Sequence, residues 1–150
     1  MLHSPRPDGY VDFVNKRWLE YLGVSLDDLV GWRWTSVIHP DDVAQLVDRW
    51  QTSVASGRPF QAEARLRRAD GEYRLTLHRK VPLGDETGNI VKWYGSVIDI
   101  EDRRRAEEEV TSSEQTYRVT VEAASDAVIS MDESGGILLA NPRHGKNSWL

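Results

Sequence analysis

Cysteine is absent from the 150 residues. That excludes disulfide frameworks, thiolate-ligated zinc, thiol nucleophiles and cysteinyl-flavin photochemistry. A basic surplus is absent too, because 19 Lys and Arg face 24 Asp and Glu for a net charge of −5. Nucleic-acid binders normally carry the opposite balance, so no nucleic-acid partner is expected. No apolar run approaches the roughly 18 residues of a membrane span. Residues 1–7 contain no apolar stretch of the secretory kind. A soluble, cytoplasmic chain is expected. Signs of catalysis are equally sparse. No serine has a nucleophile-elbow context, no glycine-rich phosphate loop is present, and no set of metal ligands stands out. Asp41 and Asp42 are acids in the first turn of a helix, where they oppose the macrodipole, and not a catalytic pair.

What the chain does have is tryptophan, six in all. Five of them lie within the first 100 residues, which should own a substantial core. A chain of this length can bury roughly two-thirds of its unfolded surface. It divides into residues 1–100, a polar run over 101–125, and a third segment over 126–150.

In the first part, Pro7-Asp8-Gly9 signals a turn and Tyr10–Val14 a strand. Short helices follow over Lys16–Leu22 and Leu26–Val30, stopped by Gly23 and Gly31. Over Asp41–Ser56 the apolar face Val43, Leu46, Val47, Trp50 and Val54 predicts the best helix, with Pro40 before it and Gly57 after it. Phe60–Arg67 and Tyr73–Val81 both alternate apolar with polar and are joined by an Asp70-Gly71 turn, predicting a hairpin. On this alternation Leu75 and Leu77 face the core, while Arg74, His78 and Lys80 face water. A third strand runs over Ile90–Ile100. Strand, helices, then a three-strand meander is an α+β order. Arg65, Arg67, Arg68, Arg74, Arg79 and Lys80 form a solvated sheet face or a docking surface.

The run over 101–125 favours helix. Arg103, Arg104 and Arg105 each stand four residues before a glutamate. Ala106, Val110, Ser113, Tyr117, Thr120 and Ala124 make a weak heptad seam. It is either a solvated connector or one strand of a parallel coiled coil between two copies. Further on, Gly135–Asn141 repeats the pattern of Gly9–Asn15 at a constant offset of 126 positions, ahead of which Ala127–Asp132 looks like a strand.

These residues resemble a PAS domain with its PAC motif. The resemblance rests on Gly9–Asn15, on Gly31-Trp32 through Ile38-His39-Pro40-Asp41-Asp42, on Arg68–Arg74, and on Trp93–Ile100 with Glu101-Asp102-Arg103. It covers about residues 8–105, and residues 117–141 resemble the opening of a second such domain. The resemblance implies a five-stranded antiparallel sheet with short helices enclosing a pocket on one face, then a long C-terminal connector helix. It also implies signalling: a small ligand, light, redox state or a partner is sensed, and a helix passes the result to an effector. In bacteria that effector is often a histidine kinase or a cyclic-dinucleotide enzyme. The chain carries no effector of its own and is expected to be a fragment of a longer sensor or a truncated product. The pocket is assigned to Phe13, Trp34, Val37, Leu46, Trp50, Leu75, Leu77, Trp93 and Val97, which either enclose a small molecule or pack on one another. Signal relay is assigned to Asn15, Asp99, Ile100 and Arg103, with Asp99 capping the connector helix or pairing with Arg103. The cofactor is unknown. Haem is disfavoured because the family's haem binders place their histidine in the helix equivalent to 41–56, which has none. His39 should help begin that helix. A homodimer through the connector helix is expected. The family's central first strand is nearly absent before Asp8, so Ala127–Asp132 of a second copy could fill the gap.

Overall fold

The computed structural model describes residues 1–123, 129–131, 133–134 and 137–140. They fall into two units, Met1–Asp102 and Arg103–Leu150.

The first unit runs β1 (Leu2–Pro5), β2 (Val11–Val14), α1 (Lys16–Leu22), two 3-10 turns (Leu26–Asp28 and Arg33–Val37), α2 (Pro40–Ser56), β3 (Phe60–Arg67), β4 (Tyr73–Gly84) and β5 (Ile90–Asp99), after which α3 spans Glu101–Ala123. The five strands make one antiparallel sheet in the order β2-β1-β5-β4-β3. This is the expected α+β architecture.

Local chemistry sets the element ends. His39 Nδ1 accepts from the Asp41 N–H at 3.2 Å, satisfying one donor that the first turn of α2 leaves free. Gly57 ends α2 in the left-handed region at φ 69°, and its N–H reaches the Ser53 carbonyl at 2.8 Å. Between these caps α2 turns Leu46 and Trp50 into the core. Trp50 meets Trp93 of β5 and Phe60 of β3 edge-on, at centroid distances of 4.9 and 5.5 Å.

Two expectations are corrected. The central first strand is present, and it is β1, formed by the chain's own residues 2–5. The sequence hides it because its cavity-facing residue is polar: His3 is buried while Leu2, on the other face, is 57% exposed. Pro5, which has no N–H for the ladder, sits where the register with β2 shifts. The sheet therefore has no gap for a strand from a second copy.

The second correction concerns β4. Arg74, Thr76, His78 and Lys80 are its buried positions, and Leu75 and Leu77 lie on the opposite face. Register explains this. Phe60, Ala62 and Ala64 pair with Lys80, His78 and Thr76, and residues directly opposite in a ladder share a face. The apolar phase of β3 thus carries the polar phase of β4 inward.

In the second unit β6 (Ile129–Met131) pairs antiparallel with β7 (Ile137–Ala140). Its register is Ile129 to Ala140, Ser130 to Leu139 and Met131 to Ile137, shifting between Ser130 and Met131. The first hairpin pairs His3 to Val14, Ser4 to Phe13 and Pro5 to Val11, shifting between Ser4 and Pro5. Every pair, and the bulge, recurs at the sequence offset of 126. Ala124, Ala127, Val128, Asp132, Gly135 and the stretch after Ala140 lie outside the described residues.

Candidate functional site

Between the sheet and the helices lies an internal cavity of about 30 Å³. Trp34, Val37 and Trp50 line it, as assigned from the sequence. Leu46, Trp93 and Val97 are buried in the same core but do not line the cavity. Phe13 does not face it at all, being 51% exposed on the outer face beside Leu2 and Tyr94. Within β2 it is Val11 and Val14 that point inward. Leu75 and Leu77 are likewise removed from the pocket by the phase of β4.

The wall also contains His3 and Trp18, which the sequence reading does not assign to it, and His78 and Lys80, which the alternation of β4 turns to water. Lys80 Nζ stands 4.1 Å from the ring centre of Phe60, 4.4 Å from that of Trp50 and 6.0 Å from that of Trp34. The rings attract the ammonium through their quadrupoles. Burial still pushes Lys80 down to about 7. His78 is pushed down to about 3, first by burial and then by the charge of Lys80. It is held by Thr76, whose Oγ1 donates to the Ala64 carbonyl at 2.7 Å and lies 2.9 Å from His78 Nε2. With its proton so used, Thr76 accepts from Nε2–H, which fixes the tautomer. His3 also lies well below its ordinary range, through burial first and Lys80 second. Its ring meets Trp18 edge-on at 5.5 Å. The signal for His78 and Lys80 is available in the sequence. A tight Asp-Gly hairpin locks β4 to β3, and the apolar phase of β3 is the unambiguous one.

A second constellation joins the sheet to α3. The Asp99 carboxylate accepts from Tyr21 Oη at 2.6 Å, Arg74 Nε at 2.6 Å, Arg74 Nη2 at 3.3 Å and the Glu101 N–H at 3.0 Å. One side chain thereby ties α1, β4 and the first turn of α3. Burial alone would raise the Asp99 pKa, but the hydrogen bonds from Arg74, Tyr21 and Glu101 outweigh it and hold the carboxyl below its usual range. Tyr21 is pushed up by burial and by Asp99. Arg74 also pairs with Asp102 at 3.0 Å. The Glu101 carboxylate takes the Leu75 N–H at 2.6 Å, and Ile100, itself buried, donates its N–H to the Leu75 carbonyl at 2.9 Å.

Of the relay residues, Asp99 caps α3 as expected, but its cationic partner is Arg74. Arg103 instead faces Glu107 at 3.6 Å on the surface of α3. A carboxylate on a strand end is reached more readily by an arginine on the adjacent strand than by one a full helical turn later. Asn15 makes no side-chain cap on α1. Its Oδ1 accepts from the Leu2 N–H at 3.1 Å and its own N–H donates to the Leu2 carbonyl at 2.9 Å, so it pins the start of β1.

Known proteins share this frame. The chain is 34% identical over 148 residues, 95% of its length, to the peroxide stress-activated histidine kinase mak1 of Schizosaccharomyces pombe, of which it covers 9%. It is 34% identical over 132 residues, 85% of its length, to the methyl sulfide methyltransferase-associated sensor of Methanosarcina acetivorans, of which it covers 13%. The chain thus spans only a small part of the curated relatives it matches. Among solved structures, the N-terminal domain of a diguanylate cyclase with PAS/PAC sensor from Marinobacter aquaeolei superposes with a TM-score of 0.61 at 17% identity, covering 69% of this chain and 96% of that one. Residues 11–97 match the model of the PAS fold. With the sheet order, the enclosed cavity and the exit helix all in place, the chain belongs to the PAS fold family.

Proposed function

We propose that this chain is the sensory and dimerisation module of a cytoplasmic signal-transduction protein. It passes the state of the cavity through α3 to an effector in a longer parent, a histidine kinase or a cyclic-dinucleotide enzyme. The relatives support the setting, since one is named a histidine kinase and one a sensor. The chain itself is a non-catalytic PAS domain. Among its described residues no helix is long and apolar enough to cross a membrane.

The single observation that carries the relay is the Asp99 junction. Arg74 lies on the same strand and the same face as His78 and Lys80, which line the cavity. Arg74 and the first turn of α3 hold the same carboxylate. A ligand or partner that favours one packing of β4 would favour one setting of the helix start, which is a population shift between two states. The module acts as a pair. From Asp102 to Thr120 the side chains of α3 are exposed, including Val110, Tyr117 and Val119. A helix that is polar nearly all round gains little from burial within its own chain, and a second copy offers its seam a partner.

The test is Asp99→Ala in the parent protein. Output should become constitutive or unresponsive, with the cavity still formed. Unchanged signal-dependent output would refute the relay.

A further inference from the structure

The wall of the cavity is unbalanced in polarity. Among the described residues, His3 Nδ1 and the indole N–H groups of Trp18 and Trp34 are buried without hydrogen-bond partners. Lys80 has ring faces around it and no carboxylate, and burial is the single cause of its shift. An indole N–H only donates, and an ammonium only donates. No carboxylate, hydroxyl or carboxamide side chain lines the cavity. The acceptor side is limited to the imidazoles: with Nε2–H donated to Thr76, His78 keeps only Nδ1 as an acceptor, and a neutral His3 likewise keeps one ring nitrogen, so donors outnumber acceptors. A buried cation is tolerated when a counter-charge and hydrogen bonds compensate for its lost hydration. This wall supplies donors and positive charge, so the complementary molecule brings acceptors and negative charge.

Size narrows the class. The cavity measures about 30 Å³, against about 10–15 Å³ per water on the same measure. We propose that it is the binding site of a compact oxyanion of three or four heavy atoms, of the formate, acetate or nitrate class, whose oxygens accept from Lys80 Nζ and the indole N–H groups of Trp18 and Trp34. This inference rests on the sensory reading and names the ligand that reading requires. The bound anion would restore full charge to Lys80, on the strand that also carries Arg74. That links occupancy to the Asp99 junction.

Isothermal titration of the intact chain with sodium formate, sodium acetate and sodium nitrate tests it. Acetamide serves as the neutral isostere and sodium chloride at matched ionic strength as the baseline. At least one oxyanion should give saturable heat, and acetamide none. Trp18→Phe keeps the ring but loses the donor, and should weaken binding about tenfold. Lys80→Met should abolish it, with thermal melts confirming that both variants fold. The proposal is overturned if no oxyanion saturates, if acetamide binds as well as acetate, or if Lys80→Met binds like the parent sequence. Its failure is distinct from failure of the relay. Absent heat with the Asp99→Ala effect intact removes the anion alone, and normal binding with unchanged output removes the relay alone.

Discussion

Lys80 is a buried cation in the core with no carboxylate beside it on the cavity wall. Its ordinary value of 10.5 falls to about 7 on folding. Between those values the unfolded chain holds a proton that the folded chain has released, so stability rises with pH across that window. The cost of the buried charge is fully present below about 7 and vanishes above about 10.5. His78 adds a second slope of the same sign, because its value drops from 6.5 to about 3 and stability falls as the pH is lowered through that range. His3 and the rings of Trp34, Trp50 and Phe60 face the same ammonium from the neighbouring elements, and none supplies a negative charge. Denaturant titrations in anion-free buffer should therefore show the chain more stable at pH 9 than at pH 7. Lys80→Met should be more stable than the parent sequence at pH 7 and should lose most of that upper slope. A flat profile in the parent sequence would mean the ammonium is solvated.

At the scale of elements, β1 is the least legible part of the fold. His3 pairs with Gly95, and a Cβ on Gly95 would run into the imidazole. The glycine is thus the space into which a central-strand histidine folds. Gly95→Ala should destabilise the domain by about 1–3 kcal/mol, as overpacked cores do. The same substitution in a His3→Ala background should cost much less, and urea melts of the four proteins would measure the coupling. If the penalty persists without His3, the clash lies elsewhere. The helices and the β3–β4 hairpin were readable in the sequence because their caps and turns are local. Pro40, Gly57 and Asp70-Gly71 act within a few residues of themselves. β1 is not readable because a four-residue run with polar His3 and Ser4 at its middle and Pro5 at its end gains strand character only from the strands on both sides of it. The inward face of β4 was misread for a related reason: hydropathy favoured Leu75 and Leu77, but the ladder with Ala62 and Ala64 decides the phase. Trp50 lines the cavity from α2, whose apolar periodicity is legible in the sequence, whereas Trp34 and Val37 line it from the 3-10 turn at Arg33–Val37, which no periodicity predicts. Asp99 was found as a cap, while its partner Arg74 is distant in sequence and could not be chosen over the nearby Arg103.

At the scale of the whole molecule, the proposed pairing of two copies acts on the 23-residue α3. Most helical stability in proteins comes from packing of an apolar face and not from propensity, and surface pairs such as Arg103 with Glu107 contribute only a few tenths of a kcal/mol each. Val110→Glu, at a position 59% exposed in the single chain, should turn a dimer into a monomer by light scattering while leaving the melting of the sheet domain unchanged. A monomeric parent sequence, or a variant that stays dimeric, would remove the paired-helix arrangement. The repeated hairpin, with its register shift at the same place, lies beyond the end of that helix in the sequence. The ring cage around Lys80 has one more consequence, which is optical. Indole emission responds to a cation lying over its face, and Trp50 holds that cation 4.4 Å from its ring centre. Protonation of Lys80 should therefore register in the emission of Trp50. The proposed filling of the cavity should then be visible in the protein's own fluorescence, without any attached dye.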